Sequence, residues 1–137
     1  MEARLTSIAK KQYPDDHSMQ KFVYDQQKKA YNYMVGVTDA EVKLIATKQY
    51  PDDYSMQQFV YDQQISAKSY MKRVTDMEVK LIAVKQYPDD YSMQKFVYDQ
   101  QLSDKEYMQR AANKSLKDKA RREYPDDYSM QKFIYEQ

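Results

Sequence analysis

Tyr-Pro-Asp-Asp begins at Tyr13, Tyr50, Tyr87 and Tyr124, 37 residues apart each time. No other property of the 137-residue chain limits its fold as much, because each copy must adopt one structure and bury its apolar face against a neighbour. The full block reads Tyr-Pro-Asp-Asp-(Tyr/His)-Ser-Met-Gln-(Lys/Gln)-Phe-(Val/Ile)-Tyr-(Asp/Glu)-Gln. Between 38–74 and 75–111 only eight positions differ. The copies are 1–37, 38–74, 75–111 and a partial fourth, 112–137, read together as a single repeat array. Of the 15 tyrosines all but Tyr31 fall on four repeat positions, one of which carries His17 in the first copy. The tyrosine excess is therefore a repeat count and not a composition bias.

Each copy reads as two helices around a proline turn. Val42, Ile45, Ala46 and Gln49 follow the i, i+3, i+4, i+7 pattern of a helix face. The same register carries Leu5, Ile8 and Ala9, then Val79, Ile82 and Ala83, then Leu116 and Ala120. Thr38-Asp39-Ala40-Glu41 and Thr75-Asp76-Met77-Glu78 fit a capping box with threonine as the cap. Pro51 ends the first helix, since a residue before proline is pushed out of the α region. Asp52, Asp53 and Ser55 are all suited to cap the second. The spacing predicts longer helices near 17–34, 54–72, 91–110 and 128–137. Met56, Phe59, Val60, Gln63, Ala67, Tyr70 and Met71 are expected on their buried stripe. Gln26, Gln63 and Gln100 are expected to offer amides to buried tyrosine hydroxyls. Gly36 and Thr38 separate the first two copies, and Thr75 the next. Ala111-Ala112-Asn113-Lys114-Ser115 holds no strong breaker, which allows a continuous rod from Tyr91 to Glu123.

Composition removes several function classes. Without cysteine there is no disulfide framework, thiolate zinc site or thiol nucleophile. A single glycine leaves no phosphate-cradling loop. A net charge of +1 gives no global attraction to nucleic acid or to an anionic membrane. No apolar run suits a membrane span, and Met1-Glu2 does not begin a secretory signal, so a cytoplasmic location is expected.

The residues that tempt toward chemistry have simpler roles. The four Asp-Asp pairs sit where helices begin, without the spread of oxygen ligands and the turn glycine of a calcium loop. His17 is the only imidazole and has tyrosine in its place elsewhere. Ser18, Ser55, Ser92 and Ser129 lack a repeated base. No catalytic residue, metal ligand, cofactor or small-molecule substrate is expected, and the chain is not read as an enzyme. Two surfaces point to binding instead. Gln20, Tyr24 and Gln27 cluster beside the core stripe, repeated as Gln57, Tyr61 and Gln64 and as Gln94, Tyr98 and Gln101, a candidate binding face. Leu44, then Met77, Leu81 and Val84, with Ile65 and Leu102 on the longer helices, form a candidate self-association patch. The terminal copies are polar there, with Ser7, Lys10, Asp118 and Arg121.

The segment Tyr87-Pro88-Asp89-Asp90-Tyr91-Ser92-Met93-Gln94 resembles a short helical segment of uncharacterised bacterial and phage-associated proteins. In those the first aromatic is often tryptophan, and a glutamine and an aromatic follow downstream as Gln100 and Tyr107 do here. The resemblance implies a helical module of prokaryotic or phage origin and carries no established activity. Tetratricopeptide repeats are alike only in architecture, their period being about 34 residues with a different signature. The expectation is thus an all-α protein of tandem 37-residue helix-turn-helix repeats, a small α-solenoid or helical-hairpin array. It is expected to act as a protein-interaction or assembly module, with self-association through the second patch. A nucleic-acid-binding repeat that stacks bases on tyrosine is the alternative. It is disfavoured because Lys43, Lys80 and Lys117 recur beside equally regular aspartates.

Overall fold

The computed structural model describes residues 1–137 and is all-α, with eight helices and no strand. Short and long helices alternate: α1 (Glu2–Gln12), α2 (His17–Gly36), α3 (Ala40–Gln49), α4 (Tyr54–Arg73), α5 (Met77–Gln86), α6 (Tyr91–Arg110), α7 (Lys114–Glu123) and α8 (Tyr128–Glu136). No helix is long and apolar enough to cross a membrane.

The helix ends have local causes. Tyr13, Tyr50, Tyr87 and Tyr124, each before a proline, leave the helical region with φ between −135° and −131°. The second aspartate of each pair then opens the long helix. Asp16, Asp53, Asp90 and Asp127 accept the backbone N–H of Met19, Met56, Met93 and Met130 at 3.1 Å. The short helices depart from the expected threonine cap. Asp39 and Asp76 accept from the N–H of Val42 and Val79 at 3.0 Å, so the cap lies one residue later and carries an anion at the positive end of the helix. Asn113 does the same for Leu116 at 3.1 Å. That cap breaks the rod allowed by the sequence: α6 stops at Arg110 and α7 starts at Lys114. Gly36 is not a left-handed stop, since its φ is not positive; Arg73 and Arg110 end their helices at the same register.

Backbone proximity divides the chain into two compact parts, Met1–Ile65 and Ser66–Gln137, with the division inside α4. In the first, Leu5 of α1, Ala30 of α2 and Tyr54 of α4 form a core, with Ile8, Tyr24 and Tyr31 against it. In the second, Met71, Val79, Ala83, Val97 and Tyr98 form the core, and Ile82, Tyr87, Leu102 and Tyr128 pack around it. There α5 packs on α6, while α8 packs on both α6 and α7. The short helices meet the long ones through small side chains: Val42, Ala46, Val79, Ala83 and Ala120 are fully buried.

The long helices turn a different face inward than the hydropathy pattern suggests. Phe22, Phe59, Phe96 and Phe133 are all at least 54% exposed, and Gln26, Gln63 and Gln100 are exposed as well. The buried stripe of α6 is Gln94, Val97, Tyr98, Gln101, Asp104 and Met108, a true i, i+3, i+4, i+7 succession. Val60, Ala67 and Met71 are buried as expected; Phe59 and Gln63 are not. Residues two apart cannot share a helix face, so once Tyr61 is inside, Phe59 must point out. Tyrosine and glutamine win the inner face because their stems fill volume while their polar ends find partners there.

Replacing Asp39 with alanine should lower unfolding free energy by about 1 kcal/mol in urea titrations. Thr38→Ala should change it by less than about 0.5 kcal/mol; equal losses would return the capping role to the threonine.

Candidate functional site

The residues read as a binding face lie inside the molecule. Gln27, Gln57, Gln64, Gln94, Gln101, Tyr61 and Tyr98 are buried, and Gln20 and Tyr24 half-buried. The glutamine amides and the Tyr61 and Tyr98 hydroxyls are engaged within the chain, and Tyr24 packs against the core of the first part, which corrects their placement on an outer ladder.

Three kinds of internal bond use them. Gln20, Gln57, Gln94 and Gln131 each donate to the carbonyl of the tyrosine before the proline, Tyr13, Tyr50, Tyr87 and Tyr124, at 2.7 Å. That clamps the turn to the helix that follows it. Gln27 donates to Asp53 Oδ1 at 2.9 Å and accepts from the Tyr54 N–H at 2.7 Å. Gln101 repeats the pattern on Asp127 at 2.9 Å and on the Tyr128 N–H at 2.8 Å. One amide, donor and acceptor together, thus serves both the cap carboxylate and a free N–H at the start of the next long helix. The third bond runs to the short helices. The hydroxyls of Tyr61, Tyr98 and Tyr135 accept the backbone N–H of the cap residues Asp39, Asp76 and Asn113 at 3.2, 3.2 and 3.1 Å. The hydroxyls find partners here and not on Gln26, Gln63 or Gln100.

Neighbouring long helices are joined by aromatic contacts. Tyr33 meets Tyr61, Tyr70 meets Tyr98 and Tyr107 meets Tyr135 edge to face, with centroids 6.4, 6.4 and 6.0 Å apart. Tyr33 and Tyr70 also donate to the carboxylates of Asp62 and Asp99. Lys95 and Lys132 lie over the rings of Tyr70 and Tyr107, each 4.8 Å from the centroid.

The tyrosine at the start of each long helix is a further contact point, and its surroundings change along the chain. In the first part, Arg4 of α1 donates to the Pro51 carbonyl at 2.6 Å and pairs with the Asp52 carboxylate. Its guanidinium lies 5.7 Å from the Tyr54 centroid, and Tyr31 packs edge-on against the same ring at 5.1 Å. In the second part, Glu78 stands at the register of Arg4 and Lys105 at that of Tyr31. Lys105 bonds Asp76 at 2.8 Å and Glu78 at 3.2 Å and lies 5.7 Å over the Tyr128 ring, whose hydroxyl donates to Glu78. His17 occupies the same register ahead of all these and is exposed.

These contacts move proton affinities. The bond to Asp99, with some burial, pushes the Tyr70 hydroxyl up to about 12. Burial and then Glu78 do the same to Tyr128, and Asp62 raises Tyr33. Asp76 holds Lys105 up at about 12. In turn the Lys105 bond lowers Asp76, and the Tyr128 hydroxyl lowers Glu78.

The self-association patch is partly exposed and partly used. Leu44, Met77 and Leu81 are 52%, 60% and 54% exposed. Ile65 and Val84 are half-buried, and Leu102 packs against the core cluster of the second part, which takes it out of the patch. The apolar surface missed in the sequence is the exposed phenylalanine that each long helix carries. Its signal was present: an aromatic two residues from an inward tyrosine must face the other way. No group of three or more His, Cys, Asp or Glu is placed to hold a metal ion.

Two predictions follow from the bonding. Gln101→Leu should cost about 1–3 kcal/mol, since it strands the Asp127 carboxylate and the Tyr128 N–H, while Gln100→Leu should stay within about 0.5 kcal/mol. Equal effects in chemical denaturation would reject the inward assignment of Gln101. The pH dependence has a definite sign. Tyr70, Tyr128 and Lys105 have folded values above their ordinary 10.0, 10.0 and 10.5. Their stabilisation is full below about pH 10 and is lost as pH rises through about 12. Asp76 and Glu78 act in the opposite sense, stabilising above their ordinary 3.8 and 4.5 and losing this as pH falls through the lower folded values. Tyr70→Phe should therefore make the alkaline limb of a stability profile shallower and leave the acid limb unchanged; an unaltered alkaline slope would show that Asp99 does not hold the hydroxyl.

Comparison of the chain with protein-family models, curated proteins and solved structures gives no match in any of the three.

Proposed function

We propose that the chain is a non-enzymatic interaction or assembly module built as an array of 37-residue helix-turn-helix repeats, an α-solenoid that associates with other polypeptides, its own copies among them. The observation that supports this most is the recurrence of large apolar side chains on solvent-facing positions. Each long helix exposes a phenylalanine, and α3 and α5 expose Leu44 and Leu81 at one register. Scattered exposed apolar residues are ordinary, but the same register recurring in successive copies makes a periodic surface. Such surfaces suit partners with a matching period, the simplest being the chain itself.

The rest of the chemistry is consistent with a scaffold. Buried polar groups such as Gln27, Gln101 and Tyr98 are spent on caps and turns. Raised tyrosine and lysine proton affinities arise from bonds that join helices, which is a structural origin of such shifts.

Sedimentation velocity over a wide concentration range tests the reading. The unaltered chain should show concentration-dependent association, and Leu44→Ser with Met77→Ser should weaken it about tenfold or more while the far-ultraviolet circular dichroism is kept. A monomer at all concentrations would remove self-association. Association untouched by both substitutions would move the interface to the exposed phenylalanines, where Phe59→Ser and Phe96→Ser are the corresponding variants.

A further inference from the structure

The two compact parts hold the same small frame in two states. In the first, Arg4 fills it: the guanidinium bonds the Pro51 carbonyl and the Asp52 carboxylate and lies over Tyr54. In the second, Pro125, Asp126 and Tyr128 repeat Pro51, Asp52 and Tyr54 two periods along the chain. Glu78 replaces Arg4 there, so the frame has lost its cation and gained a carboxylate. A cleft of about 420 Å³ opens at this point, lined by Glu78, Leu81, Ile82, Pro125, Asp126 and Tyr128 among others. Its volume falls within the range of small-ligand sites, roughly 300–1,000 Å³.

We propose that this cleft binds an arginine side chain of a partner polypeptide, in the manner in which the first part holds Arg4. Four features select that ligand. The acceptors are those that Arg4 uses, a proline carbonyl and the first aspartate of the pair, and no hydrogen bond or ion pair engages them at Pro125 and Asp126. A planar five-donor group satisfies a carbonyl and a carboxylate together, which an ammonium does less well. The apolar wall is better developed than in the first part, because Leu81 stands where that part has Ser7, and it would cover the methylene stem of an arginine. Lys85, which also borders the cleft, does not forbid a cation, since Lys11 holds the same register in the part that accommodates Arg4.

Glu78 and Lys105 explain why the site is open. Lys105 supplies the cation over the Tyr128 ring that Arg4 supplies over Tyr54. Glu78 accepts from that lysine and from the Tyr128 hydroxyl. The ring is stabilised from the Lys105 side, and the Pro125–Asp126 turn is left for a donor from outside. Gln131, whose Oε1 is buried with no partner, lines an adjoining cleft with Pro125 and Tyr128. It adds an unused acceptor beside the frame.

The proposal rests on the interaction-module reading and names the chemistry of its partner; the experiment works on dilute protein, so it stands whether or not the chain self-associates. A blocked Ala-Arg-Ala peptide is titrated into the isotopically labelled full chain and followed by amide chemical shifts. Saturable shifts are expected at Asp126, Asp127 and Tyr128 and in the methyls of Leu81, with none at Asp52 or Tyr54, whose frame Arg4 already fills. The Ala-Lys-Ala peptide and guanidinium chloride should each bind about tenfold more weakly. Asp126→Asn should weaken binding about tenfold, and Glu78→Arg, which supplies the guanidinium from within as Arg4 does, should abolish it. Should either variant disturb the fold, Leu81→Ser in the otherwise unaltered chain tests the wall on its own and should weaken the peptide but not guanidinium. No saturable shift, equal binding of the lysine peptide or of bare guanidinium, or undiminished binding by Glu78→Arg would each overturn the proposal.

Discussion

The structure depends on the starts of α4 and α8 being satisfied from two directions. A helix N-terminus presents several N–H groups without partners and a partial positive charge, and here it follows a proline turn that removes another donor. The second aspartate of the pair meets one N–H from within the copy. The glutamine of the preceding long helix meets another and binds the same aspartate from outside. Cap and interface are one cluster. A copy that loses its predecessor therefore loses part of its own helix start, which ties local stability to the neighbour.

That coupling explains the composition of the inner face. A buried glutamine with an unmade bond costs about 1–3 kcal/mol, so a core of this kind is tolerable only when partner positions are fixed. The exact recurrence of the proline turn fixes them. Gln20, Gln57, Gln94 and Gln131 reach the tyrosine carbonyl at one and the same 2.7 Å. Polar residues inside also restrict register. A slip of one helix past another would strand Gln101 and the Tyr98 hydroxyl, whereas an all-leucine interface would tolerate it.

Much of this was legible in the sequence; the aspartate caps of α3 and α5 and the break at Asn113 were missed locally, and the phase of the long helices was missed for a long-range reason. The proline stops, the aspartate pairs as caps and the helix bounds follow from backbone sterics and orphan N–H groups, which act within a few residues. Val42, Ala46, Val79 and Ala83 were placed correctly because small apolar residues in a short helix leave one choice of face. The phase of the long helices was not legible from hydropathy. Phe59 outranks Tyr61 as an apolar residue, yet Tyr61 is inside because Asp39, 22 residues earlier, offers its hydroxyl an N–H. Burial of an amphipathic side chain is decided by a partner distant in sequence, and a scale that scores residues singly does not contain that partner. The same applies to the binding face: Gln57 and Tyr61 looked like adaptable surface residues because the bonds that consume them reach outside their own helix.

Departures from the repeat carry the remaining information, and they become readable once the contacts are known. Arg4 with Tyr31 in the first copy, and Glu78 with Lys105 in the third, are two solutions to covering the tyrosine that opens the next long helix. In each pair exactly one member carries the cation over the ring, and it changes sides between them. His17 holds this register at the start of α2 and is exposed. Variation at an inter-copy contact is thus not drift from a consensus but a record of what each copy has beside it.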